Sequence, residues 1–469
     1  MKLIVGLSCL AAFCTAQNIT ARIIRDAVAD HIDLFSLPFA GEALTSIQAI
    51  YDLDEVDISS NITNGSRIDV HAHVVPPWYR TLVPFSGQSP TPSWSLEAHL
   101  QFMASAGIKH SVLSVGTPGS VVFPGSQTKS ASLARLLNEY LAALRHKLPR
   151  VFSFFAVTPL PYTSAAITET THASTRLNAT GVGLQSNHEG YYPGNRTFTP
   201  LFAHLNSTTN PPPIFVHPAG PCLHTPNGSL TSANPTPYPE GLVEFYFETA
   251  RAFMDLTLSQ SLANFTALRW IVPHGGGAFP SIIDRFLTSQ PAELQSRSRA
   301  AYASRLFWDA AGPVFPHQIL GLLGYGVPAT QLVYGSVSLS WLSCVFFFFF
   351  YLFSDWVWRC VAKSGNKRFR QRLTHTLLSR CSGLPLRARL HVRARDRGDR
   401  QRLVLDCRGE GWAVRRERQQ GNLLSGARRV ENEQPFPPKS LVGRARLKRG
   451  PRKGKLVVVN GFCAFPLIF

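Results

Sequence analysis

Between residues 17 and 336 this sequence has a single cysteine, Cys222. One thiol excludes a disulfide framework for that stretch, so its stability has to come from a buried apolar core. Cys222 itself is expected to be structural and not a nucleophile. The same stretch also lacks net charge. The whole chain carries +19, yet residues 1–336 hold 19 Lys+Arg against 20 Asp+Glu, a net of −1, while the remainder holds 28 against 8, a net of +20. The basic character belongs to the C-terminal part and gives no electrostatic reason for the rest to bind nucleic acid. The basic part in turn lacks the regular aromatic interleaving of a base-stacking platform, so no nucleic-acid partner is expected.

What is present begins with an export pattern. Residues 1–16 read as a signal peptide: Lys2 is the positive start, Leu3–Phe13 an apolar core, and Cys14-Thr15-Ala16 the small residues for cleavage. The run is too short to cross a bilayer. N-x-S/T acceptors at Asn18, Asn61, Asn64, Asn178, Asn195, Asn206, Asn227 and Asn264 support it, and none follows Asn264. The expected location is the secretory pathway or the extracellular space, with membrane-anchored and cytoplasmic locations as alternatives.

Residues 17–65 read as an N-terminal helical extension, with near-helical apolar spacing over 21–32 and 44–53. From residue 66 short β-branched runs alternate with longer helical stretches. The runs are 67–71, 110–115, 151–157, 181–184, 214–217, 270–274, 306–309 and 331–335. Helices are predicted over 96–106, 130–147, 240–262 and 279–288. Alternation of this kind implies a parallel sheet, and eight strands over 66–336 match a closed α/β (β/α)8 TIM-type barrel, which takes roughly 250 residues.

The pattern breaks after the eighth strand, so the barrel reads as truncated or disrupted there. Residues 337–358 are an apolar, Phe-rich segment, and 359–469 are an Arg-rich tail with little apolar periodicity, expected to lack regular structure. Two readings compete. In one, residues 332–353 span a membrane, being uncharged and close to the ~20 residues required, with the basic stretch behind them on the cytoplasmic side. In the other, residues 337–469 come from an untranslated insertion read through into a wrong frame. The second is preferred, because a barrel ordinarily needs its eighth helix to cover strand eight.

The chemistry-bearing residues gather at predicted strand ends. In Ile68-Asp69-Val70-His71-Ala72-His73 the two histidines are two apart, and on a strand they face the same way. His217 ends strand five in Phe215-Val216-His217-Pro218, and His274 ends strand six before Gly275-Gly276-Gly277. Alone, His217 suits a core histidine and His274 a Gly-rich turn. Together with the H-x-H pair they form a constellation at one barrel mouth that can hold a metal. Imidazole suits Zn2+, and a carboxylate would normally complete the set.

These motifs carry a resemblance. The run R-I-D-V-H-A-H-V-V-P-P-W-Y is similar to the first strand of the amidohydrolase-related (amidohydrolase 2) metal-dependent decarboxylases, in their 6-methylsalicylate-decarboxylating branch. A-G-I-K-H-S-V-L-S-V-G-T-P-G, F-A-V-T-P-L-P, P-I-F-V-H-P-A-G, W-I-V-P-H-G-G-G-A-F-P, L-F-W-D-A-A-G and L-V-Y-G-S continue it in order over about 66–336. The resemblance implies His71, His73 and His217 as metal ligands and His274 as the acid/base or water-orienting residue. It also implies Asp309 as a pocket-supporting residue, and an Asp ligand directly after the last Gly-Ser. Here that position is Val337, which cannot coordinate a cation. Ser354-Asp355-Trp356 looks like the interrupted motif resuming, but Asp355 is not assigned to the site.

The implied activity is metal-dependent, non-oxidative removal of CO2 from an aromatic or unsaturated carboxylic acid of the 6-methylsalicylate kind. Zn2+ is the expected ion with Mn2+ as the alternative, and no organic cofactor is expected. The rival readings are a metal-dependent hydrolase of an ester, lactone or amide, and an inactive barrel. The implied partners are a small aromatic carboxylic acid, a membrane if 332–353 spans one, and a second copy in a homodimer.

Overall fold

The computed structural model describes residues 19–54, 56 and 58–337, together with the backbone of 389–396, 399–408 and 411–418. The chain divides into two units, 1–358 and 359–469.

In the first unit eight parallel strands follow one another around a barrel: β1 (Arg67–His73), β2 (Ile108–Ser114), β3 (Phe152–Val157), β4 (Gly181–Gln185), β5 (Ile214–His217), β6 (Trp270–Val272), β7 (Leu306–Asp309) and β8 (Leu332–Val333). Each pairs with the next in sequence; Ile214 of β5, for example, lies between Val182 of β4 and Trp270 of β6. The seam between β8 and β1 is closed by single bonds just beyond β8. The Val70 N–H donates to Tyr334 O (3.0 Å) and the Val337 N–H to His71 O (2.9 Å). Inside the barrel Val112, Phe155, Phe215 and Ile271 form a buried plug, packed against Val70, Phe307 and Val333.

The expected barrel is therefore present, with differences at element ends. The sixth strand stops at Val272, because His274 and the glycines after it turn into a short 3-10 segment. The eighth strand is two residues long where five were expected. Residues 332–353 were one candidate for a membrane span, and this is corrected at its start: Leu332 and Val333 pair with Trp308 and Asp309 in the barrel sheet. Among the described residues no helix is long and apolar enough to cross a membrane. Residues 338–358 lie outside the described residues, as do Asp355 and residues 1–16.

Helices alternate with the strands: α1 (Ile19–Ala29), α2 (Ala40–Tyr51), α3 (Leu96–Ala106), α4 (Gln127–Lys147), α5 (Thr163–Thr175), α6 (Thr199–Ser207), α7 (Glu244–Leu258), α8 (Phe279–Leu287), α9 (Ala292–Arg305) and α10 (His317–Gly324). Local signals explain their ends. Ser95 caps α3 by accepting the Ala98 N–H (3.1 Å), and Gly107 ends it at φ +62°. The single helix expected over 240–262 is split, because Val243 at φ −133° separates a 3-10 turn from α7. α5 was not predicted, since Ser and Thr are poor interior helix formers. Its hydroxyls are absorbed along the helix, Thr170 and Thr171 donating to Ala166 O and Ile167 O at 2.7 Å each.

The N-terminal extension is part of this unit's core. α1 and α2 pack on α4, whose residues from Ser130 to Leu144 are all buried. Charge fixes the docking. The Arg22 guanidinium donates to Glu139 (2.6 Å), and the buried Arg135 reaches Asp30 (2.6 Å) and Glu169 (2.9 Å). Removing one partner of such a buried pair strands the other, which costs roughly 3–5 kcal/mol.

The second unit was expected to be without regular elements. It contains an antiparallel meander of β9 (Arg389–Asp396), β10 (Asp399–Arg408) and β11 (Gly411–Arg418), joined by two-residue connections. The stretch Arg389-Leu390-His391-Val392-Arg393-Ala394-Arg395 alternates apolar and basic residues, the period of a strand, which the charge density obscures.

Candidate metal centre

The site lies at the C-terminal ends of the strands, where barrels of this type carry their chemistry. Asp69, His71 and His73 of β1 are 0%, 0% and 4% exposed, and the strand's register is irregular between Asp69 and Ala72. His217 from the end of β5 and His274 from the turn after β6 complete the group, both buried. Ring centroids of His73 and His217 are 4.6 Å apart, those of His71 and His217 5.3 Å, and those of His71 and His274 5.0 Å.

One ligand atom from each of His71, His73 and His217 lies within 4.8 Å of the others, a grouping that can hold a metal ion. Hydrogen bonds settle which atoms face inward. His71 Nδ1 lies 2.8 Å from Asp309 Oδ2 and donates to it, so Nε2 is the nitrogen left to face an ion. Ser114 Oγ donates to Ala72 O (3.2 Å) and therefore accepts from His73 Nδ1 (3.1 Å), which bares the Nε2 of His73 as well. The two Nε2 atoms face each other at 3.1 Å. Two lone pairs at that distance repel unless a cation lies between them and a third donor, so the donor set suits a divalent ion. The carboxylate–imidazole arrangement of Asp309 and His71 is the outer support that metal-binding histidines ordinarily carry.

Burial disfavours the charged form of His73, His217 and His274. The His73 and His217 rings are held well below the ordinary imidazole value, first by burial and then by neighbouring histidines. His274 is lowered to about 4 by burial and by His71, with Asp309 opposing. Burial pushes Asp309 up, but the His71 charge and hydrogen bond, His274 and the Ala311 N–H outweigh it and hold the carboxyl below its usual value. Asp69 goes the other way, raised by burial against its bonds from Ser336 and His71.

His274 is placed by its backbone. It adopts φ +53°, its N–H donates to Asp309 Oδ1 (2.8 Å), and its carbonyl accepts from Gln318 (2.7 Å). Its ring stacks on Tyr246 at 6.0 Å and 11°, and its Nδ1 is buried without a hydrogen-bond partner. The turn that follows needs glycine: at Gly276, φ +83°, a Cβ would meet the Trp308 ring at 2.4 Å. Gly335 is similarly pressed, with a Cβ there only 2.8 Å from the His71 Cβ.

Beside the histidines a small pocket of about 20 Å3 is lined by Phe155, Phe215, Val157, Thr158, Gln185 and His217, among others. Phe155 and Phe215 stack at 5.3 Å and form a flat apolar wall. Gln185 Oε1 is buried there with no partner.

Val337 adjoins the centre through its N–H bond to His71 O, at φ +51°. Cys222 lies apart from the histidines. Its thiol donates to Asn187 Oδ1 (3.0 Å), and burial pushes it up to about 11, which is no state for a nucleophile. The sequence pattern did not single out Asp69, Ser114, Tyr246 or Gln185. For Asp69 a signal was available, since it stands two residues before His71 in the same motif.

An eight-stranded (β/α) barrel with a buried three-histidine cluster at its mouth defines the class of site. The amidohydrolase family profile matches residues 68–336, and the chain belongs to that family. It is 30% identical over 283 residues to the 6-methylsalicylic acid decarboxylase of Penicillium expansum, covering 58% of this chain and 84% of that protein. It is 34% identical over 227 residues to the decarboxylase yanB of Aspergillus niger, covering 47% of this chain and 61% of that protein, under two thirds of its length. Among solved structures, an amidohydrolase II superposes with a TM-score of 0.51 at 24% identity, over 58% of this chain and 86% of that one. The 5-carboxyvanillate decarboxylase of Novosphingobium aromaticivorans, complexed with manganese and a nitrobenzoic acid, superposes with a TM-score of 0.52 at 16% identity, over 67% of this chain and 95% of that one. The two solved structures share the fold.

Proposed function

We propose that this chain is a metal-dependent carboxy-lyase that removes CO2 from a small aromatic carboxylic acid of the 6-methylsalicylate kind. The observation that carries the reading is the opposed pair of bare Nε2 atoms on His71 and His73, with His217 beside them, at the edge of a cavity walled by stacked phenylalanines. Relatives that are decarboxylases support it.

His71, His73 and His217 would hold the ion. An all-imidazole set suits zinc, and manganese is the ion in the 5-carboxyvanillate decarboxylase structure. When bound, the ion supplies positive charge that attracts the substrate carboxylate or an ortho hydroxyl and withdraws electrons from the ring. Asp309 keeps His71 in the tautomer that points Nε2 inward. Phe155 and Phe215 take the ring face and exclude water, and Gln185 offers an amide to a ring substituent. The chemical step adds a proton to the ring carbon that bears the carboxylate. The bond from that carbon to the carboxylate then breaks, its electron pair returns to the ring, and CO2 leaves. His274, neutral and with a free Nδ1, can accept a proton from a water or from an ortho hydroxyl of the substrate and pass it to that carbon.

The test is CO2 release from 6-methylsalicylate by the purified chain loaded with zinc or manganese, run beside ester, lactone and amide substrates. CO2 release that is lost in His274→Asn supports the reading. Cleavage of the esters, lactones or amides with no CO2 would replace it by a hydrolase. A loaded chain that turns over none of them would leave a barrel without this activity.

A further inference from the structure

Residues 1–336 contain twelve asparagines, and eight of them stand in N-x-S/T sequences. The exceptions are Asn138, Asn187, Asn210 and Asn234, the last two each followed by Pro. The structure sorts the two groups. Asn138 and Asn187 are buried, 0% and 4% exposed, and spend their Nδ2 groups inside the protein. Asn138 donates to Glu169 (2.8 Å) and Val157 O (3.0 Å), and Asn187 to Glu248 (2.7 Å) and Gly220 O (3.0 Å). None of the described asparagines in N-x-S/T sequences is buried, and among the described residues none of them donates an Nδ2 hydrogen bond. Where their amides are engaged, the oxygen is used: Asn206 Oδ1 accepts from the Ala267 N–H (2.9 Å) and Asn264 Oδ1 from Arg297 (3.0 Å).

Their placement is uneven. Asn61 and Asn64 precede β1, Asn178 lies between α5 and β4, Asn206 near the end of α6 ahead of β5, and Asn264 between α7 and β6. All five therefore belong to connections that enter strands, at the barrel end opposite the histidines. Among the described acceptors only Asn195 and Asn227 lie on connections that leave strands towards the mouth.

We propose that Asn61, Asn64, Asn178, Asn206 and Asn264 are N-glycosylated and that the sugars clothe the closed end of the barrel while leaving the mouth open. The co-reactant is a lipid-pyrophosphate-linked oligosaccharide of the secretory lumen. The amide nitrogen loses one N–H proton and bonds to the anomeric carbon, and the lipid pyrophosphate leaves with the electron pair of the broken C–O bond. This places the chain in the secretory route, whatever reaction the mouth performs.

The full chain is to be expressed in a yeast and digested with peptide N-glycosidase F in heavy-oxygen water, followed by gel mobility and peptide mapping. The expected result is a gain in mobility, with heavy-oxygen aspartate at the five positions. An unchanged mobility, or label confined to Asn195 and Asn227, overturns the proposal. The map is read on the unmodified protein, so it does not depend on any variant folding. A chain with all five replaced by Gln should lose most of the shift, and a shift of undiminished size would also overturn the assignment.

Discussion

Replacing Val337 by Asp tests the reading of the site most directly. Val337 is a β-branched residue at φ +51°, a region that Asn and Asp tolerate and Val does not. Its N–H is already bonded to His71 O at 2.9 Å, so the substitution asks for no new backbone path. Relief of that strain should stabilise the metal-free protein by about 1–2 kcal/mol. A carboxylate would also supply the charge that three neutral imidazoles lack. Its attraction to a dication, less the cost of desolvating it, should tighten metal binding by at least tenfold, about 1.4 kcal/mol. Val337→Asn separates the two effects, since it accepts the same φ without the charge. Both variants should melt higher than the parent without metal, and only Val337→Asp should lower the zinc Kd in competition against a chromophoric chelator. Equal zinc affinities for the parent and both variants would refute the argument that this position borders the ion.

The remaining predictions follow from contacts already described. Asp309→Asn should keep the fold but weaken zinc binding by about 10–100-fold, because the hold on the His71 tautomer is lost; an unchanged Kd in the same chelator assay would count against it. Gly276→Ala should cost about 2–4 kcal/mol in urea unfolding, since φ +83° and the Trp308 ring both oppose a side chain; a loss under about 0.5 kcal/mol, typical of a surface site, would show that the turn can move. His99 is buried, and burial lowers it from 6.5 to about 4. Its neutral form contributes stability that is present above pH 6.5 and is lost as the pH falls towards 4, about 3 kcal/mol in all. His99→Gln should therefore show a smaller loss of stability than the parent between pH 7 and pH 4, and parallel curves for the two proteins would remove the assignment.

Much of the barrel is legible in the sequence because its strands announce themselves twice, by β-branched runs and by the polar residues that end them. The two-residue spacing of His71 and His73 alone puts both on one strand face, and His217 and His274 stand at the ends of their own runs. Partner choice is hidden. Asp309 lies 238 residues from His71, and no local pattern says that its carboxylate will meet that ring. The same holds for Ser114 under His73 and for the Phe155–Phe215 wall, which exist only once strands two, three and five curve around one axis. The left-handed conformation of His274 is also a tertiary matter, imposed by the bonds at its N–H and carbonyl. Element ends failed for local reasons: α5 was masked by its hydroxyls, and the expected helix over 240–262 broke at Val243.

The barrel's seam has one further consequence. β8 meets β1 through the carbonyl of Tyr334, the N–H of Val337 and the Ser336 contacts to Asp69, and the same strand presents His71 and His73. Stave and hinge are thus one piece. A tug on the peptide at 337 would open the hoop and splay the imidazoles in a single movement, so protection of the Val70 and Val337 amides from hydrogen exchange should rise and fall together with the order of the histidine cluster.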